Sequence, residues 1–232
     1  MMIKVYDNKL KQIYINKYKL TSMFTNDLRS HMELILFEKG EHICKENEKL
    51  EYLYFFVKGK GKVYVNLKNG KSLLLCFYYP LTLLGDLEIV NNCDTSTNVE
   101  VLEDSYCIAL KLNDVRDILV TDAKFLRYTC ESLAKKLQRS SNNSSINLLY
   151  PLENRLASYI LATSEDIIID NKKIHIFNEK LTELAELLGT SYRHLLRTLN
   201  TLVNKGVIYK SKEYYIITDY ILLKKLSSDL YK

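Results

Sequence analysis

Leu181-Thr182-Glu183-Leu184-Ala185-Glu186-Leu187-Leu188-Gly189-Thr190-Ser191-Tyr192-Arg193-His194-Leu195-Leu196-Arg197-Thr198-Leu199 is the stretch from which the rest of the chain can be read. Leu184, Leu187 and Leu188 make the apolar face of a short helix. Gly189 can take φ > 0 and turn the chain sharply. Thr190 or Ser191 then caps a second helix. On that helix Leu195, Leu199 and Leu202 recur at i, i+4 and i+7 and mark a core face. The opposite face begins with Tyr192 and Arg193, includes His194 at its start, and continues through Arg197. From Leu187 to Lys212 the basic residues Arg193, Arg197, Lys205, Lys210 and Lys212 meet no Asp or Glu. Two arginines at i, i+4 cost roughly a few tenths of a kcal/mol in an isolated helix. Phosphates, or guanine edges accepting bidentate Arg contacts, offset that repulsion.

After Gly206, Val207–Lys210 and Tyr214–Ile217 read as two strands with a basic tip at Lys210 and Lys212, the wing of a winged helix-turn-helix. A plain helical hairpin with a solvated basic face is the alternative. The turn, the basic exposed face and the wing together favour DNA, with Thr190, Ser191, Tyr192, Arg193, His194, Arg197, Lys210 and Lys212 as the contacting residues. Asn178 is the expected cap of the first helix.

Working back toward the N-terminus, Pro151 fits the first turn of a helix over Leu152–Thr163. Ile167–Ile176 reads as a strand pair turning at Asp170-Asn171. A long helix is expected from about Asp122 to Leu149. Its Leu126, Cys130, Leu133, Leu137, Ser140 and Ser144 alternate steps of four and three, a seam for a second copy that turns polar at Ser140–Ser145. Packing of this helix on its own domain is the alternative. Asn113 is read as the cap of a short helix, Asp114–Val120. Before it, Glu33–Phe37, Ile43–Lys45, Tyr52–Val57, Lys62–Leu67, Ser72–Tyr79, Val99–Val101 and Ser105–Leu110 read as short strands. Gly40, Gly59, Gly61 and Asn69-Gly70 punctuate them, the signature of a β-barrel or β-roll.

The composition is compatible with this reading. In 232 residues, 47% are hydrophobic and 26% charged, enough for one large or two modest cores. The net charge of +5 suits nucleic acid without demanding it. No apolar run reaches the ~20 residues of a membrane span, and Met1-Met2-Ile3-Lys4 begins no signal peptide. The expected compartment is the cytoplasm. The five cysteines are odd in number and scattered, as free thiols in a reducing compartment would be.

The chain resembles the Crp/Fnr family over nearly its whole length. Phe37-Glu38-Lys39-Gly40-Glu41 is similar to that family's opening roll segment, and Tyr54–Gly59 to its strand-to-Gly turn. Leu84-Gly85-Asp86-Leu87-Glu88 is similar to its phosphate cassette. Pro151-Leu152-Glu153-Asn154-Arg155-Leu156-Ala157 and Ser191–Leu196 resemble its YeiL-like branch. The resemblance implies an α+β fold: an N-terminal cyclic-nucleotide-binding-type β-roll, a long dimerisation helix and a C-terminal winged helix-turn-helix. The expected boundaries are 1–121, 122–149 and 150–232. It implies a homodimeric transcriptional regulator of a palindromic operator, controlled from the roll by an effector the residues do not identify, with RNA polymerase as a further partner left open.

Aligned from Gly85, the positions that hold ribose and cyclic phosphate in cyclic-AMP-binding members are Asp86, Ser96 and Thr97. The phosphate-binding Arg is missing, so cyclic AMP is not expected as a tight ligand. Ser140-Ser141 falls where such members touch the base. With Gly85 these form the candidate effector site. The reading triple that the family writes as Arg, Glu and Arg is here Tyr192, Arg193 and Arg197, which predicts an operator other than the TGTGA type. No cofactor or metal is expected. No cysteine precedes Cys44 and none is closely spaced, against an iron–sulfur cluster, and His31, His42, His175 and His194 stand isolated, against haem. An enzyme is disfavoured: there is no His-x-His metal pair for a cupin and no nucleophile or phosphate-loop motif. The remaining alternative is a ligand-binding module acting on a protein partner.

Overall fold

The computed structural model describes residues 2–169, 172–228 and 230. The segment before residue 32, where periodicity shows little, is ordered on the sheet that follows it. Asp7 accepts from the Leu10 amide at 2.9 Å and caps α1 (Asn8–Lys17). β1 (Ile3–Val5) pairs antiparallel with β2 (Met32–Phe37), Val5 opposite Leu34.

The expected roll follows, with one strand beyond the expected set, β7: β3 (His42–Cys44), β4 (Tyr52–Lys58), β5 (Gly61–Asn66), β6 (Ser72–Tyr78), β7 (Thr82–Leu84), β8 (Asn98–Val101) and β9 (Ser105–Lys111). One sheet has the order β1-β2-β9-β4-β7 and the other β3-β8-β5-β6. Tyr52–Val57 is buried throughout, which explains a continuous aromatic run where a half-exposed strand would alternate. Phe55 lies opposite Ile108 on one side and Leu83 on the other. It joins Leu34, Leu53 and Ile108 in a core completed by Ile15, Leu20 and Phe125.

Two helices depart from the sequence reading. The cassette segment forms a short helix, α2 (Asp86–Asn91). α3 spans Leu112–Leu119, begins after Lys111 and has no side-chain cap, so Asn113 lies inside it and does not cap it. The cause is burial: Leu112, Val115 and Leu119 form the packed stripe, and the Leu112 amide donates to Glu51 O at 2.9 Å.

α4 (Ala123–Leu149) is the long helix. Asp122 starts it. Its carboxylate accepts from the Lys124 amide at 2.9 Å and also from the amide and hydroxyl of Thr25 at 2.6 and 2.8 Å, tying the helix to the N-terminal segment. Burial alone would raise the Asp122 pKa, but the bonds from Thr25, Phe125 and Lys124 outweigh it and hold the carboxyl below its usual range. A depressed carboxylate contributes stability above its unfolded value, about pH 3.9, and loses it as pH falls through the folded pKa. Asp122→Ala is therefore expected to lower unfolding stability by about 1–3 kcal/mol at pH 7, from lost capping and stranded donors. In denaturant titrations the gap from wild type should close below about pH 4; a gap constant with pH would show that the charge is irrelevant.

α4 carries two stripes one residue apart. Phe125 and Thr129 are buried and Ser132 and Lys136 half-buried, while in the expected seam Leu126 and Leu133 are half-buried and Cys130 and Leu137 exposed.

By contacts, residues 1–65 and 77–139 form one unit, and 66–76 with 140–232 the other. Within the second, buried Asn143 donates to Leu75 O at 2.7 Å, which accounts for one polar residue in the Ser140–Ser145 run. α5 (Leu152–Thr163), β10 (Glu165–Ile169) and β11 (Lys172–Phe177) follow. The turn expected at Asp170-Asn171 lies outside the described residues. α6 (Leu181–Leu187), α7 (Tyr192–Asn204), β12 (Ile208–Lys210), β13 (Tyr215–Ile217) and α8 (Tyr220–Ser227) complete the chain, with strands in the order β10-β11-β13-β12.

Candidate nucleic-acid interface

The turn between α6 and α7 is built by backbone bonds that the sequence makes possible. The Gly189 amide donates to Glu186 O at 2.8 Å and the Thr190 amide to Ala185 O at 2.9 Å, with Gly189 at φ +59°. This paired pattern satisfies the last carbonyls of α6 and requires a left-handed residue. Arg155 of α5 reinforces it by donating from Nη1 to Leu188 O at 2.7 Å. Ser191, not Thr190, caps α7: its Oγ accepts from the His194 amide at 3.2 Å. Thr190 instead lies 3.3 Å from His194 Nδ1. α6 has no side-chain cap. Its N-cap is Lys180 rather than Asn178, and Lys180 pairs with Glu183 at 3.0 Å.

α7 divides its faces cleanly. Leu195, Leu199 and Leu202 are fully buried, while Tyr192, Arg193, His194 and Arg197 are exposed. Neither Arg193 nor Arg197 has an ion-pair partner among the described residues. The same pattern of bonds stops the helix: the Gly206 amide donates to Val203 O at 2.9 Å and the Val207 amide to Leu202 O at 3.0 Å. The chain then enters β12, antiparallel to β13, with Lys210 opposite Tyr215. Ser211 N donates to Tyr214 O at 2.8 Å and closes a tip that holds Lys212 and Glu213. Exposed Lys210 and Lys212 project from this two-stranded wing. A helix with an uncompensated cationic N-terminal face, beside a basic wing, is suited to a major groove and its flanking phosphates.

Residues 34–122 match the cyclic nucleotide-binding domain and residues 154–226 the Crp-like helix-turn-helix domain. Regulatory protein YeiL of Escherichia coli O157:H7 is 30% identical over 207 residues, 89% of this chain and 91% of its own. The chain belongs to the Crp/Fnr family. It is a transcriptional regulator with a Crp-like helix-turn-helix DNA-binding domain, and the family is one of regulators rather than enzymes. A CRP-like cAMP-activated global transcriptional regulator of Mycobacterium tuberculosis is 20% identical over 194 residues, 83% of this chain and 87% of its own. A CRP-family regulator from Thermus thermophilus has the same fold, with a TM-score of 0.65 at 16% identity, covering 85% of this chain and 98% of its own. Among the described residues no helix is long and apolar enough to cross a membrane.

Asp86, buried at the start of α2, is bound to Lys136 of α4 at 2.8 Å and accepts from Ser132 Oγ at 3.2 Å. Lys136 also donates to Leu83 O at 2.7 Å and lies over the Tyr78 ring at 5.5 Å. Ser96 is exposed and Thr97 half-buried in the α2–β8 loop; no hydrogen bond joins either to Asp86 among the described residues. Ser140 and Ser141 are exposed on α4. Sequence reading missed Lys136 because its partner is 50 positions away. The signal was the spacing Phe125, Thr129, Ser132, Lys136, a second stripe beside the seam. Burial pushes the Cys44 and Cys107 thiols upward, so neither is a ready thiolate.

Proposed function

We propose that the protein acts as a homodimer that reads a palindromic operator through the exposed start of α7. The observation that carries this is the pair of unpartnered cations, Arg193 and Arg197, held on a helix whose other face is fully packed. In this reading Arg193 and Arg197 meet base edges, with Tyr192 and His194 beside them. Thr190, Ser191, Lys210 and Lys212 meet phosphate. Residues 1–121 serve as the effector-type roll, 122–149 as the dimer helix and 150–232 as the DNA-binding domain, working in the cytoplasm. Two reading helices would lie about one DNA turn apart, ~34 Å. Mobility-shift titration against a selected duplex library, repeated at two salt concentrations, tests it. A selected palindrome with half-sites one turn apart is expected, and equal affinity for all sequences would overturn it.

The effector, if the roll takes one, is not cyclic AMP. Two observations support this reading: aligned from Gly85, a serine, Ser96, falls where the family resemblance would put the phosphate-binding Arg, and the Asp86 carboxylate is already bound to Lys136. A cyclic phosphate would meet no guanidinium at that position to offset its lost hydration. Calorimetry with cyclic AMP is expected to give no saturable heat at micromolar protein and nucleotide, and micromolar binding would show this reading of the cassette to be wrong.

A further inference from the structure

α4 has a third face, beside its buried stripe and on the opposite side of that stripe from the seam. Against β7 it forms a cleft of about 90 Å³. That is room for about three waters at ~30 Å³ each, and far below the roughly 300 Å³ at which sites for drug-sized ligands begin. Tyr128, Ser132, Lys135 and Arg139 line one wall, and Leu81 and Thr82 the other.

Its charges do not cancel. Glu131 is the carboxylate on this wall, and it pairs with Arg127 at 3.3 Å. Lys136, which also lines the cleft, is held by Asp86. Lys135 and Arg139 have no carboxylate partner among the described residues, and Arg139 lies 5.9 Å from the centre of the Tyr78 ring. The Tyr128 ring is half-buried near Phe55, and its hydroxyl has no hydrogen-bond partner among the described residues. Burial pushes the Tyr128 pKa up, so the hydroxyl keeps its proton and can donate. Two cations without carboxylate partners and a hydroxyl without a hydrogen-bond partner, among the described residues, thus share a small recess.

We propose that this cleft binds a small phosphate-type anion, free or as the terminal group of a metabolite, through Lys135, Arg139 and the Tyr128 hydroxyl. Charge-assisted bonds from a guanidinium and an ammonium are the usual means of holding such an anion. The site lies outside the Gly85–Thr97 cassette, and the seam stripe on α4 leaves it open. Because Lys136 lines the cleft, the anion and Asp86 would share one ammonium, which links occupancy to the cassette.

The test is calorimetry of the full chain with inorganic phosphate at constant ionic strength, with chloride as the reference salt and no DNA present. Saturable binding with a dissociation constant of about 1 mM or tighter is expected. The double variant Lys135→Gln/Arg139→Gln should weaken it at least tenfold, and Tyr128→Phe by a smaller factor. Arg116→Gln, on α3 and outside the cleft, should leave it unchanged. Glycerol 3-phosphate run in parallel separates the sources: tighter binding of the ester points to a metabolite's terminal group, and equal binding to free phosphate. Heat indistinguishable from chloride, or full binding by the double variant, overturns the proposal. The operator reading is untouched by either result, because DNA takes no part.

Discussion

Arg197→Ala is expected to reduce the preference for the true operator over random duplex by about 5- to 150-fold, the range that one bidentate arginine–guanine contact supplies at roughly 1–3 kcal/mol. Arg193→Ala should do the same at a neighbouring base pair. Both side chains leave the first two turns of α7 on the face opposite Leu195 and Leu199, and neither is held by a carboxylate among the described residues. They reach a groove without first breaking an ion pair. Lys210 and Lys212 sit on the wing, where contact falls on phosphate, which orients the protein without reporting sequence. Lys210→Ala should therefore weaken operator and random DNA together and flatten the salt dependence by about one counterion. Specific and non-specific affinities for each variant at two salt concentrations decide the matter. Arginine variants that keep the wild-type specificity ratio would mean that α7 is not the reading helix.

Leu137→Glu is expected to give a monomer and to cost about 10²–10⁴-fold in operator affinity, because two half-sites are then no longer held by one tethered pair of heads. Leu137 is 71% exposed in the protomer. The substitution removes little from the protomer's own packing, so the variant should keep the wild-type far-ultraviolet circular dichroism and lose only the part of the thermal midpoint that dimerisation adds. Leu126, Cys130 and Leu133 continue the same stripe, and a carboxylate in the middle of it would be buried without a partner in a dimer. Light scattering beside the shift assay separates the cases. A variant that stays dimeric and binds normally would place the interface elsewhere.

The DNA-binding head was readable in the sequence because its determinants are local. Gly189 and Gly206 mark where two helices end, Ser191 where one begins, and the leucine spacing shows which face is buried. Most of the roll's strands, though not the three-residue β1 and β7, were likewise legible from alternation, aromatic and β-branched runs and glycine turns, and the long helix from its unbroken period. What escaped was either too short for a period or too distant for a motif. α2 is six residues, under two turns. α1 has a readable cap in Asp7 but little apolar patterning. The ties of Asp86 to Lys136 and of Thr25 to Asp122 join residues that only the folded chain brings together.

The two glycine-terminated stops on either side of α7 have an evolutionary consequence. They end α6 and α7 through backbone bonds, Ser191 caps the start of α7, and the packing of α7 runs through Leu195, Leu199 and Leu202. None of the outward residues Tyr192, Arg193 and Arg197 takes part in any of these tasks. If those residues read the operator as proposed, mutation can explore new operator preferences there while folding is maintained by a separate set of residues. A duplicated copy of the gene could acquire different target promoters by a few substitutions on one surface, inheriting the scaffold unchanged.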